Sequence, residues 1–215
     1  MHKEKGVESM IKFEDLKEFH LDVLKELSNI GMGNAATSLA QMLGQKVDIK
    51  VPRVSVLPFN EIYTVLGDRE ALVGGIFFEI EGDLSGEILF LFPTKSIKLL
   101  LKLLTGMEED FPPISEMGQS MLQEIGNILC GSFLNALSEF TSFKIFPTPP
   151  AFGMDMAESL LSTILISIGE VEDFALIIET EFIIGEEDFN AFFFFLPNPG
   201  SLAKILKAVG VDTSG

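Results

Sequence analysis

One spacing constrains this chain more than any other feature. The run Leu24-Lys25-Glu26-Leu27-Ser28-Asn29-Ile30-Gly31-Met32-Gly33 returns as Leu122-Gln123-Glu124-Ile125-Gly126-Asn127-Ile128-Leu129-Cys130-Gly131, at an offset of 98 (124 − 26). The same offset separates Leu39 from Leu137 and Pro52 from Pro150. Further on, Leu84 to Pro93 resembles Asp188 to Pro197 at an offset of 104 (197 − 93), so the second copy carries a longer loop. A recurring period of this kind marks a tandem duplication. The join falls near Gly106 to Pro113, which gives a single domain, residues 1–215, built from repeats at about 13–108 and 114–210.

Each copy has the same coarse order. A long helix is expected over Phe13 to Leu43 and again over Ser115 to Phe140. Strand-like runs follow at Lys46–Lys50, Arg53–Leu57, Leu72–Ile80 and Glu87–Phe92, and in the second copy at Phe143–Phe146, Leu160–Ile168, Phe174–Phe182 and Ala191–Leu196. A shorter helix closes each copy, Ser96 to Leu104 and Ser201 to Val209. Helices and strands segregate within a copy rather than alternate, which favours α+β with a largely antiparallel sheet. Phe192 to Phe195 is apolar on both faces and reads as a central strand covered on both sides.

At 100° per residue the long helices show a second regularity. Asp22, Glu26, Asn29, Gly33, Ala36 and Ala40 share one stripe, and Ser120, Glu124, Asn127, Gly131, Leu134 and Ser138 share its equivalent. Leu24, Ala35 and Leu39 face the other way, as do Leu122, Phe133 and Leu137. Each helix is therefore expected to bury an apolar face and present outward an acid, an amide and a glycine. Glycine costs about 1 kcal/mol against alanine inside a helix, and asparagine is a weak helix former. A purely structural helix gains nothing from both at matched positions twice, whereas an outward glycine lets another protein approach closely.

Composition removes most other chemistries. The net charge of −17, from 32 acids and 15 bases, argues against nucleic-acid binding and an anionic membrane surface. The imbalance is concentrated in residues 110–215, with 3 bases and 15 acids, so a partner docking there is expected to be basic where it touches. Cys130 is the single cysteine, which excludes an intrachain disulfide and a cysteine-rich zinc site; His2 and His20 are the only histidines, and histidine-based catalysis or metal binding would need His20, around which nothing has ligand spacing. No G-x-x-x-x-G-K-[ST] loop occurs. Mean hydropathy is +0.36, yet no apolar run reaches the roughly 18 residues of a membrane span, and no signal peptide is expected, since Met1 to Glu18 is charged and lacks an apolar h-region. A cytoplasmic location without membrane insertion is expected.

The pattern [Asp/Ser]-x3-Glu-x2-Asn-x22-Pro, read here as Asp22, Glu26, Asn29, Pro52 and as Ser120, Glu124, Asn127, Pro150, resembles the signature of the CheC/CheX/FliY family of chemotaxis phosphatases. The resemblance covers nearly the whole chain. It implies a pseudo-two-fold α+β fold, with both motif-bearing helices on the outer face of the sheet and one site on each. It implies hydrolysis of the aspartyl phosphate of the response regulator CheY. The phosphate, its Mg²⁺ and a phosphate-contacting lysine would belong to the partner, and the chain would need no cofactor or metal of its own. What remains is to position a water in line with the phosphorus, and positioning supplies much of the catalysis of phosphoryl transfer. Asn29 and Asn127 are expected to hold that water. Glu26 and Glu124, which a phosphate would repel, are expected to pair with the partner's lysine.

Asp22, Ser120, Gly33 and Gly131 are expected at the partner's rim. Pro52 and Pro150 are expected to shape the chain beside a strand, and Cys130 to be a small core residue. By the same resemblance Asp155, in Met154-Asp155-Met156, is a candidate contact for the receptor deamidase CheD. A competing reading uses the same helices in a non-catalytic adaptor that binds phosphorylated CheY or CheD and regulates receptor modification; a third reading is a flagellar switch component.

Overall fold

The computed structural model describes residues 16–58, 60–62, 67–106, 112–168, 174–198, 200–208 and 210. Helix α1 is Glu18–Leu43, followed by strands β1 (Val47–Pro58), β2 (Leu72–Gly82) and β3 (Gly86–Pro93) and helix α2 (Thr94–Thr105). The second copy runs α3 (Glu116–Thr141), β4 (Ile145–Pro147), β5 (Ala151–Met156), α4 (Ala157–Ile168), β6 (Phe174–Ile184), β7 (Glu187–Pro197) and α5 (Ser201–Ala208).

The long helices begin and end where local chemistry dictates. Lys17 is extended, and its N–H donates to His20 Nδ1 at 3.0 Å. Helix α1 thus starts at Glu18; the expected start at Phe13 lies outside the described residues. Ser115 caps α3 by accepting the Gly118 N–H on its hydroxyl at 3.0 Å. Gly44 and Ser142, both left-handed, terminate α1 and α3 at matched positions (142 − 44 = 98).

The described strands form a seven-stranded antiparallel sheet in the order β1-β6-β7-β3-β2-β4, with β5 also paired to β2. At the repeat offset, β1 at 47–58 corresponds to residues 145–156 (47 + 98, 58 + 98), the span of β4 and β5. Yet β1 pairs with β6 of the second copy, and β4 and β5 pair with β2 of the first. Each copy therefore lends its first strand to the other, about a pseudo-dyad between β3 and β7.

Helices α1 and α3 pack on each other and on one face of this sheet, enclosing the main core. They cross so closely that a Cβ on Gly31 would lie 2.8 Å from Phe133 Cα. Leu24, Ala35, Leu39, Leu122, Phe133 and Leu137 are all buried, as their spacing required. The Phe133 ring meets Phe193 and Phe195 edge-on, with centroids 4.7 and 5.3 Å apart. Phe194 faces the smaller core on the opposite side, so β7 is covered on both faces.

Two readings of the second copy need correction. Leu160–Ile168 is not a strand but part of helix α4. Ala157, Leu160 and Leu161 bury at helical spacing in the smaller core, and the Ser162 hydroxyl donates to the Glu158 carbonyl one turn back. Strand β5, which carries Asp155, was not anticipated.

Candidate functional site

Both motif stripes reach the surface on neighbouring helices. Asp22, Glu26 and Gly33 of α1 are exposed, as are Ser120, Glu124 and Asn127 of α3, while Gly131 and Asn29 are half-buried. The stripe is narrower than its angular definition: Ala36 and Leu134 are 6% and 2% exposed and belong to the core. Each lies seven residues beyond its asparagine, on the flank that leans into the chain. A Cβ on Gly33 or on Gly131 would meet nothing within 4 Å, so internal packing does not require glycine at either position. A shallow groove of about 620 Å³ continues the first stripe, lined among others by Gly33, Thr37, Ala40, Lys46 and Asp48.

The motif prolines work through their backbone carbonyls. Lys25 Nζ donates to the Pro52 carbonyl at 2.6 Å, and Gln123 Nε2 donates to the Pro150 carbonyl at 3.0 Å. Both bonds join residues 27 apart in sequence, at matched positions of the two copies. They fasten the strand after each helix beside its Glu and Asn.

The asparagines differ. The Val51 N–H, in the register break of β1 between Lys50 and Arg53, donates to Asn29 Oδ1 at 3.1 Å. Among the described residues Asn127 has no such donor; its Nδ2 reaches Glu124 Oε2 at 3.4 Å, the long end of hydrogen bonding. Among the described residues no ion pair forms to Glu26, Glu124 or Asp22, so these carboxylates remain available to a cation from outside. Also among the described residues, no group of three His, Cys, Asp or Glu is placed to hold a metal ion.

Other candidates are placed elsewhere. His20 is buried and engaged in starting α1. Cys130 is fully buried, and loss of solvent pushes its thiol up to about 12, as expected of a core residue. Asp155 is exposed on the sheet edge opposite Val73, where its carboxylate accepts the Met156 N–H at 2.7 Å. It does not join the helical stripes. Phe146 and Met156 are exposed on the same edge.

Sequence reasoning missed two surface residues. Phe19 and Met117 are 63% and 55% exposed, one turn ahead of Asp22 and Ser120. Each sits seven residues before its glutamate, hence within about 20° of it around the helix. Their offset, 117 − 19 = 98, was the signal that could have found them. The surface thus offers, twice, an apolar side chain, an acid, an amide and an approachable backbone. Among the described residues it exposes no thiol or imidazole, and its carboxylates and amides are suited to binding and positioning.

Comparison with known proteins matches these two stretches. The model of the CheC-like family aligns with residues 19–56 and again with 117–154, once more 98 apart (117 − 19, 154 − 56). The CheY-P phosphatase CheC of Bacillus subtilis is 33% identical over 205 residues, covering 93% of this chain and 98% of that protein. The flagellar motor switch phosphatase FliY of Bacillus subtilis is 30% identical over 139 residues, 64% of this chain but only 36% of that protein. Among solved structures, Thermotoga maritima FliY superposes with a TM-score of 0.76 at 22% identity, covering 90% of this chain and 97% of that one. The FliM middle domain of H. pylori superposes with 0.66 at 14% identity, covering 90% and 99%. At these identities the structural likenesses establish the fold. No described helix is long and apolar enough to cross a membrane.

Proposed function

The chain belongs to the CheC-like family, and on that premise we propose that it is a phosphatase of the phosphorylated response regulator CheY, with one site on α1 and one on α3. Water attacks the phosphorus; the new O–P bond forms as the bond to the aspartyl oxygen breaks, releasing inorganic phosphate and a free aspartate. Mg²⁺, the phosphoryl group and an active-site lysine are supplied by the partner, and the chain holds no cofactor of its own. The Asn29 and Asn127 carboxamides orient the attacking water, a contribution of geometry and not of acid–base chemistry. Glu26 and Glu124 pair with the partner's lysine, which seats the helix. Phe19 and Met117 lie beside them as apolar anchors, and Gly33 and Gly131 let the partner's backbone come close.

The observation that carries this reading is the recurrence, at matched positions of two packed helices, of an exposed glutamate one turn before an asparagine at the surface, half-buried at Asn29 and exposed at Asn127, with no ion pair to either glutamate among the described residues. Asp155 lies on a different surface, an exposed sheet edge beside Phe146 and Met156, and is assigned to the docking of CheD. The decisive experiment follows loss of phosphate from CheY-P with wild-type protein and with Asn29→Ala/Asn127→Ala. The wild type accelerates it and the double variant does not, while both remain folded. An adaptor would leave the rate unchanged or slow it, and a fully active double variant would exclude water positioning by these residues.

A further inference from the structure

The two sites share a motif but not a hydrogen-bond pattern, and the difference traces to one backbone atom. At the repeat offset the counterpart of Val51 is Pro149 (51 + 98). Proline has no N–H to donate. The surrounding attachment is the same in both copies, since residues 25 and 123 hold the carbonyls of residues 52 and 150. Position 149 is thus fastened to its helix as 51 is, but without the donor. We propose that the Val51 N–H is a positioning group for Asn29, that Pro149 removes its equivalent at Asn127, and that the first site therefore turns over faster than the second. This rests on the water-orienting role assigned above to the asparagines.

A carboxamide has an accepting and a donating end, and its use depends on which end faces the reaction. At Asn29 a backbone donor fixes the oxygen at 3.1 Å, so the amide orientation is settled before any partner arrives and Nδ2 remains for the water. At Asn127 the donating end is turned to Glu124 at 3.4 Å, the carboxylate that must itself meet the partner's lysine. Docking at the second site must therefore redirect the glutamate and order an exposed carboxamide together. Ordering one such side chain corresponds to about 2- to 10-fold in rate.

The test measures kcat and KM for CheY-P, with melting temperature as a control of folding. Asn127→Ala is expected to keep more than half of wild-type kcat, and Asn29→Ala to lose about 2- to 10-fold. In the Asn29→Ala background, Pro149→Ala restores a backbone donor at the second site and is expected to raise kcat several-fold with KM unchanged. Pro149 is exposed, so the fold accommodates alanine there. A bond serving only to hold α1 on β1 would shift the melting temperature of Asn29→Ala but leave kcat insensitive to residue 149. Equal or reversed losses in the single variants, or no gain from Pro149→Ala, overturn the proposal while leaving the water-orienting role intact. Wild-type turnover by Asn29→Ala/Asn127→Ala overturns that role, and the proposal with it.

Discussion

Replacing Gly33 and Gly131 by alanine separates what the helices need from what their partner needs. Both glycines lie inside long helices, and an added Cβ meets nothing within 4 Å at either one. Helix propensity then acts alone, with a gain of about 1 kcal/mol per site and about 2 kcal/mol for the pair. For a chain of this size that corresponds to a rise of about 4–8 °C in melting temperature. At a docked interface the same two methyl groups would overpack a surface that admits only glycine, at a cost of about 1–3 kcal/mol, hence about 5- to 150-fold in KM. Gly31→Ala is the internal contrast. Its Cβ would stand 2.8 Å from Phe133 Cα and 3.3 Å from the Ser132 carbonyl oxygen, backbone atoms that cannot swing aside. It should lower the melting temperature despite its better propensity. Calorimetry and a phosphate-release assay with CheY-P read both effects. A stabilised double variant with wild-type KM would refute the idea that a partner's backbone approaches these glycines, and a destabilised one would refute the open space around them.

Glu26→Lys/Glu124→Lys should weaken docking more than the corresponding alanines, and wild-type docking should weaken with salt, as expected of exposed ion pairs; salt-independent binding would demote the glutamates. Phe19→Ser/Met117→Ser should raise KM about 10-fold or more, because burying such a side chain against a partner contributes about 1.5–3 kcal/mol; an unchanged KM removes both from the interface. Asp155→Lys should reduce CheD capture in a pull-down and leave CheY-P hydrolysis unchanged. Normal capture would take Asp155 out of that surface.

The repeat offset made much of this molecule legible in advance. Both long helices, their buried faces, the motif stripes and the covered strand Phe192 to Phe195 follow from periodicity and the spacing of 98. Local pattern failed where tertiary context decides. Leu160 to Ile168 mixes leucine with β-branched residues that suit either a strand or a buried helix. The arbiter was a second core on the far side of the sheet, which takes Ala157, Leu160 and Leu161 from one helical face. The exchange of first strands between the copies was not legible, because pairing partners are not encoded in any one strand's alternation. At the site, the residues were legible and the wiring was not. The bond from the Val51 N–H to Asn29 spans 22 residues and depends on a register break in β1. Its absence at Asn127 was visible only once Pro149 was set against Val51.

The exchange of first strands carries a consequence for ancestry. Neither copy closes its own side of the sheet: β1 completes the half that holds β6, and β4 with β5 completes the half that holds β2. A single copy can satisfy that arrangement only by reciprocal exchange with an identical twin, so a homodimer is the natural antecedent of this topology. In such a dimer one gene writes both sites, and every substitution strikes twice. Once the copies share a chain, each can drift while the other preserves the activity. A valine on one side and a proline on the other is a difference that an assembly of identical subunits has no means to inherit.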